Sequence, residues 1–323
     1  MSFWIGMDVG GTNIVCGIVN EKGEVLNSLK KPTEAHLGTS AVLDKMAQMA
    51  LELTEGAGLA GRVAGMGVGI PGLADPWTGS SVYSANLNWR DVPLSAELSK
   101  RTSLPVYIDN DVRMYVYGEA MFGAGRGVDY VLGLTVGTGI ASAMVSRGQL
   151  HYGYRNLAGE IGHGMMDGET APCGCGFEGC LEASASASGM VREAKRRLSE
   201  GAPSILSQWF PGDDLAQLSA ADLSRAVDAG DSLASEIMNH AGELLGKALV
   251  PAVHILSPQV IVLGGGGALA GERLLAPLRR ILFTRLLPDF RQDLEIRTAS
   301  LGDGAGVIGS AMQAKQRHDM NHS

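Results

Sequence analysis

The sequence predicts an α/β protein of two domains, on three observations. Val260-Ile261-Val262-Leu263 is a short, wholly apolar run that opens into Gly264-Gly265-Gly266-Gly267, and such a run fits a strand buried on both faces of a parallel sheet. Pro105 to Asp111 reads as a strand ending in acids that passes directly into a helical stretch, Val112 to Ala120. The carboxyl end of a strand beside a helix N-terminus is where α/β folds place catalytic groups. Finally, 323 residues are more than one hydrophobic core usually organises.

Composition narrows the class. The chain is 45% hydrophobic and 19% charged, with a net charge of -8, so it is expected to be globular and to offer no broad basic surface to nucleic acid or anionic membrane. Arg192-Glu193-Ala194-Lys195-Arg196-Arg197 reads as a solvated helix face. No secretory signal opens the chain and no apolar run reaches membrane-spanning length. Clustered thiols without an export signal fit a reducing cytoplasm. Forty-five glycines imply tight turns and close backbone approaches.

Taken in order, Phe3 to Asp8 is a buried strand, Ile14 to Val19 a second, and Glu24 to Leu29 a third that returns antiparallel after the Glu21-Lys22-Gly23 turn. Asp8-Val9-Gly10-Gly11-Thr12-Asn13 therefore joins paired strands and is neither a Walker A loop nor a dinucleotide fingerprint, whose glycines precede a helix. Its chemistry suits a nucleotide: glycines for close approach, the Thr12 hydroxyl, and Asp8 for a Mg²⁺ shell. Alone, it also reads as a glycine hairpin turn. Thr39 or Ser40 is expected to cap a helix that buries Val42, Met46, Met49 and Leu53. In Val63 to Gly72 the alternating glycines predict a strand pressed against a close neighbour.

Asn86-Leu87-Asn88-Trp89 is a polar loop that either reaches a substrate or simply packs one Trp. Asp111 is either catalytic or a helix cap, and Asn110 or Asp109 can supply the cap instead. Tyr130 to Val136 leads into Gly137-Thr138-Gly139, a second turn of the phosphate type. Residues 191–255 are helical in pattern, with Ile237, Leu244, Leu245, Ala248 and Ile255 on one buried face. The four glycines from Gly264 suit a flat ligand lying on the backbone. A last helix, Val307 to Gln316, precedes a tail, His318 to Ser323, expected to fray.

Ala158-Gly159-Glu160-Ile161-Gly162-His163 and Cys173-Gly174-Cys175-Gly176-Phe177-Glu178-Gly179-Cys180-Leu181-Glu182 stand out most. Three thiolates and one imidazole make the ligand set of a closed, tetrahedral structural zinc site; the alternatives are three buried thiols or a disulfide. A metal-stapled loop here would present Glu160, His163 and Glu182 to a substrate. Cys16 stands apart as a small core residue.

Together these stretches resemble the ROK family (repressors, open reading frames and sugar kinases), in particular its bacterial hexokinase-type members, over essentially the whole chain. The resemblance implies the actin-like ATPase (ribonuclease H-like) fold, with two α/β domains around a central cleft. A smaller domain would span residues 1–109, completed by a C-terminal helix at about 306–323, and a larger one, 110–305, would carry the zinc loop. It implies ATP-dependent phosphorylation of a hexose hydroxyl, glucose to glucose 6-phosphate, with Asp111 as general base. Asn86, Asn110, Asp111, Glu160, His163 and Glu182 would bind sugar. Asp8, Gly10, Gly11, Thr12, Asn13, Gly137, Thr138 and Gly139 would hold the phosphates with Mg²⁺, and Gly264, Gly265 and Gly266 the adenosine. His163, Cys173, Cys175 and Cys180 would bind zinc.

The partners implied are the hexose and ATP, with no nucleic acid or membrane, in a cytoplasmic homodimer or homotetramer. Allose, mannose, fructose or an N-acetylhexosamine are alternative substrates. A sugar-responsive transcriptional regulator is a further alternative, disfavoured because the chain begins at its first strand without a DNA-binding segment. The family usually has Glu-Asn-Asp followed by Ala-Asn-Ala, where this chain has Asp109-Asn110-Asp111-Val112-Arg113-Met114. Arg113 leaves the reaction intact and bears on sugar preference.

Overall fold

A computed structural model describes residues 2–322. Its strands in chain order are β1 (Phe3–Val9), β2 (Asn13–Asn20), β3 (Val25–Pro32), β4 (Val63–Ile70), β5 (Leu73–Asp75), β6 (Ser80–Ser84), β7 (Trp89–Val92), β8 (Val106–Asn110), β9 (Tyr130–Val136), β10 (Ile140–Ser146), β11 (Gln149–Leu150), β12 (Val260–Gly264) and β13 (Glu295–Thr298). They form a five-stranded sheet in the order β3-β2-β1-β4-β8, a second in the order β11-β10-β9-β12-β13, and a small antiparallel sheet β5-β6-β7. Both large sheets follow one plan. A central first strand is flanked on one side by the second and third strands and on the other by parallel strands, β4 and β8 in one sheet, β12 and β13 in the other. The glycine turns at residues 10–12 and 137–139 are therefore topological equivalents, each joining the first strand of its sheet to the second.

The chain divides into two compact units. One holds residues up to Asp129 with Ala143–Ala158 and everything from Ser300 on; the other holds Tyr130–Ser142 and Gly159–Ala299. In the first, β1 and β4 pack on the final helix, Gly304–His322, which also lies along the Asp111–Phe122 helix. The contact is at backbone distance. A Cβ on Gly6 would fall 1.9 Å from the Val307 carbonyl oxygen, and one on Gly67 1.8 Å from that of Ser310. This is the close neighbour expected for the glycine-rich strand, since no side chain fits there. Ile5, Met7, Val68, Ile108 and the inward face of the Thr39–Gly56 helix, with Val42, Met46, Met49 and Leu53, make the core on the other side of that sheet. Cys16 lies in it, fully buried.

Three expectations change. Gly38, and neither Thr39 nor Ser40, stands at the N-cap of the Thr39–Gly56 helix. The tail continues the final helix to His322, and His318 packs edge-on against Trp4 and meets the Tyr107 hydroxyl at 3.0 Å. Ser323, the end of that predicted tail, lies outside the described residues. Ile255 is exposed, because Val253 takes the inward position near the end of the Ser232–Leu256 helix and a residue two places on points roughly 200° away.

Candidate active site

In the first unit, β1, β4 and β8 run parallel, so their carboxyl ends lie on one edge of the sheet. β1 delivers Asp8 there and β8 delivers Asn110, followed at once by Asp111 as the first residue of the Asp111–Phe122 helix. Asn110 is the cap: its side-chain oxygen accepts from the Arg113 backbone N–H at 3.1 Å, which satisfies one free donor of the first turn. That releases Asp111 from capping. Its Oδ1 accepts from Asn110 Nδ2 at 3.0 Å and from the Val112 N–H at 2.9 Å.

Burial pushes the Asp111 carboxyl up to about 7, and the charge of Asp8 adds to the rise. Asp8 is itself pushed up to about 6, by burial and then by Asp303. Two desolvated acids whose charges repel are a natural place for a cation, or for a base poised near neutral pH. Asn86 is exposed and packs beside the Gly10-Gly11-Thr12 loop: a Cβ on Gly11 would stand 3.2 Å from Asn86 Cβ. Thr12 is exposed there and Asn13 begins β2.

Asp109, by contrast, points into the protein. It is fully buried, accepts from Tyr152 Oη at 2.7 Å and pairs with Arg113 Nη1 at 3.2 Å. Burial raises its carboxyl against the pull of Arg113 and Tyr152.

In the second unit, His163 Nδ1 lies 3.8 Å from Cys173 Sγ, and Cys175 Sγ lies 3.6 Å from Cys180 Sγ. All four ligand atoms fall within 4.8 Å of one another. Ligands placed tetrahedrally around one zinc ion stand roughly 3.5–3.8 Å apart, so this group can hold a metal ion. With Nδ1 toward the thiols, Nε2 of His163 faces Glu160 Oε2 at 3.8 Å, so one imidazole serves both sides. Glu182 is the second residue of the short Leu181–Ala185 helix that follows Cys180, and it accepts from the Ile140 backbone N–H at 2.8 Å, which ties it to the Gly137–Gly139 turn. Thr138 is exposed at the tip of that turn.

The glycine run that closes and follows β12 is in part a packing feature. Gly265 has φ +74, and a Cβ there would meet the Val136 carbonyl oxygen at 2.7 Å; one on Gly267 would meet the Val136 side chain at 2.6 Å. Gly264 closes β12. Gly266 alone of the run from Gly265 to Gly267 faces open space. Sequence reasoning missed Tyr152 and Asn156, partners of Asp109 and Arg113, and Glu119. This buried acid accepts from the Ser300, Leu301 and Ala124 N–H groups and so holds the loop that leads to Asp303. None of these lies in a spaced motif.

Parallel strands feeding acids to a helix N-terminus, with glycine turns repeated in two sheets, define an α/β protein of the phosphate-handling kind. The ROK family model matches residues 4–317, and the chain belongs to that family. A glucokinase of Halalkalibacterium halodurans is 35% identical, over 98% of this chain and 96% of its own. The crystal structure of a Streptomyces griseus ROK glucokinase, in complex with glucose and AMPPNP, is 30% identical with a TM-score of 0.82, covering 98% of this chain and 100% of the other. A putative xylose repressor of a Caldicellulosiruptor species is 27% identical, over 94% of this chain and 76% of its own. The fold is accordingly the actin-like ATPase fold of the ROK sugar kinases.

Proposed function

We propose that this chain is an ATP:hexose phosphotransferase that converts glucose to glucose 6-phosphate. The observation that carries the reading is Asp111: a half-buried carboxyl raised to about 7, freed from capping by Asn110 and set at the start of a helix. A carboxylate so placed accepts the proton of a sugar hydroxyl as its oxygen attacks the γ-phosphorus and ADP departs, a role that needs a base with a pKa near the working pH. The similarity to glucokinases supports the same activity. Asn86, Asn110, Glu160, His163 and Glu182 orient the sugar. Gly10 to Asn13 and Gly137 to Gly139 cradle the phosphates, and the nucleotide's adenosine lies at Gly264 to Gly266. Asp8 would hold the shell of a Mg²⁺ carried with ATP, and that ion would supply neutralisation of phosphate charge.

The donor set of His163, Cys173, Cys175 and Cys180 fits zinc. Four protein ligands leave no open position, so zinc would supply rigidity there and no nucleophile. It would fix the segment bearing Glu160 and Glu182 and set the tautomer of His163, leaving Nε2–H free to donate to a sugar hydroxyl. Among the described residues no helix is long and apolar enough to cross a membrane; we place the enzyme in the cytoplasm, as a homodimer or dimer of dimers. A panel of glucose, mannose, allose, fructose and N-acetylhexosamines in a coupled ADP-release assay tests the reading. Glucose is expected to give the highest kcat/KM. A higher value for another sugar transfers the assignment to it, and no release with any sugar refutes the kinase reading.

A further inference from the structure

Resting on the hexose-kinase reading, we infer that Arg113 is a positioning residue for hexose binding. It clamps the loop from which the chain runs into Glu160 and His163. The sequence marks Arg113 only as a departure from the family pattern; its surroundings give it work. The residue is 5% exposed. Its Nη1 pairs with the buried Asp109, while Nη2 donates to the Asn156 carbonyl at 2.5 Å and more distantly to that of Ala158, at 3.4 Å. The guanidinium stands 5.4 Å over the Tyr152 ring, and the Tyr152 hydroxyl donates to Asp109 while accepting from Gln313 at 3.2 Å. One planar fork thus joins the end of β8, where Asn110 and Asp111 sit, to both ends of the loop 152–158.

That loop is not one the backbone would hold unaided. Arg155 and Asn156 have φ of 57° and 59°, left-handed values that asparagine tolerates but that strain a residue such as Arg155. Strained conformations persist where surrounding contacts over-determine them, and they gather at functional sites. The contacts here are Arg113 on the Asn156 carbonyl, Trp77 Nε1 donating to Asn156 Oδ1 at 3.2 Å, and Asn156 Nδ2 donating to Asp75 at 3.4 Å. Three residues after Asn156 the chain reaches Gly159, whose φ of 112° again restricts it to glycine, and then Glu160. The loop that Arg113 holds thus leads directly into the segment that carries Glu160 and His163. Lysine cannot substitute, because a single ammonium does not span a carboxylate and two carbonyls as the guanidinium does.

The test is Arg113→Lys, which keeps a cation for Asp109, alongside the charge-free double variant Asp109→Asn/Arg113→Met, which leaves no buried charge unpaired if the lysine protein misfolds. Steady-state kinetics on each is paired with calorimetric titration of glucose alone. Loss of charge-assisted hydrogen bonds to the two carbonyls is expected to raise the glucose KM and Kd by about tenfold or more. The ATP KM and kcat should stay within about threefold of wild type, since Arg113 touches neither assigned phosphate turn. A merely structural role would lower Tm and leave that split absent. Wild-type glucose KM in both variants, or an ATP KM that rises in step, overturns the inference while the kinase reading stands. A wild-type enzyme that neither binds nor phosphorylates glucose would bring down both.

Discussion

Glu182 Oε2 accepts the backbone N–H of Ile140 at 2.8 Å, directly after the Gly137–Gly139 turn, and a Cβ on Gly139 would come within 2.4 Å of that same oxygen. A residue assigned to the sugar is thus held by the turn assigned to phosphate. Gly139→Ala is expected to push Glu182 aside and raise the glucose KM roughly tenfold, the loss of about one hydrogen bond to a charged group. Kinetics with varied glucose at saturating ATP checks this; an unchanged glucose KM removes Glu182 from the sugar.

The glycine run after β12 offers a cleaner probe of nucleotide binding than its composition suggests. Gly265→Val is expected to lower Tm, because φ is +74 and Val136 blocks the side chain. Gly266 faces open space, so Gly266→Val should fold normally yet raise the ATP KM several-fold more than the glucose KM. Equal Tm and an unchanged ATP KM for Gly266→Val would place the nucleotide elsewhere.

Much of this site was legible in the sequence because its parts are local. The His163, Cys173, Cys175 and Cys180 donors lie within a short stretch, and Asn110-Asp111 follows a strand that reads plainly as apolar. The glycine alternation of β4 announced a close neighbour, although only the structure names the final helix as that neighbour. What stayed hidden depends on residues distant in sequence. The roles of Gly265 and Gly267 follow from Val136, some 130 residues earlier, and the Asp109 network draws in Tyr152, Asn156 and Gln313. No periodicity announces such partners. The equivalence of the two large sheets was likewise invisible, since their strands share topology without sharing sequence.

The metal group makes a prediction of its own. Elemental analysis should find one zinc per chain. Cys175→Ala is expected to lose it, to drop Tm by roughly 5–10 °C and to weaken glucose binding more than ATP binding, as a folding metal with a loop to hold would require. Fully active metal-free protein contradicts the structural role. A Cys175→Ala protein that loses zinc but binds glucose normally shows that the metal does not shape the sugar site.

The raised carboxyls set a pH dependence. Asp111 works as a base only when ionised, and its pKa is about 7 with burial as the main cause and Asp8 as the second. With both substrates limiting, kcat/KM should therefore fall about tenfold per pH unit below that point. Asp8→Asn removes the repulsion and should move the limb of the residual activity to lower pH. Stability runs the other way. A carboxyl raised on folding contributes most below its unfolded pKa near 3.8 and loses that contribution as pH rises through about 7. Asp111→Asn should accordingly raise Tm at pH 8 relative to wild type and gain little at pH 4. Thermal scans at the two pH values check it, and an equal shift at both contradicts the assigned pKa.

The most direct test of the whole account is Asp111→Asn, assayed for glucose-dependent ADP release and titrated with glucose by calorimetry. Removing the base while keeping its shape is expected to cut kcat by at least about a hundredfold, with the glucose Kd within a few-fold of wild type. A variant that turns over at near the wild-type rate would contradict the assignment of Asp111 as the base that activates the sugar.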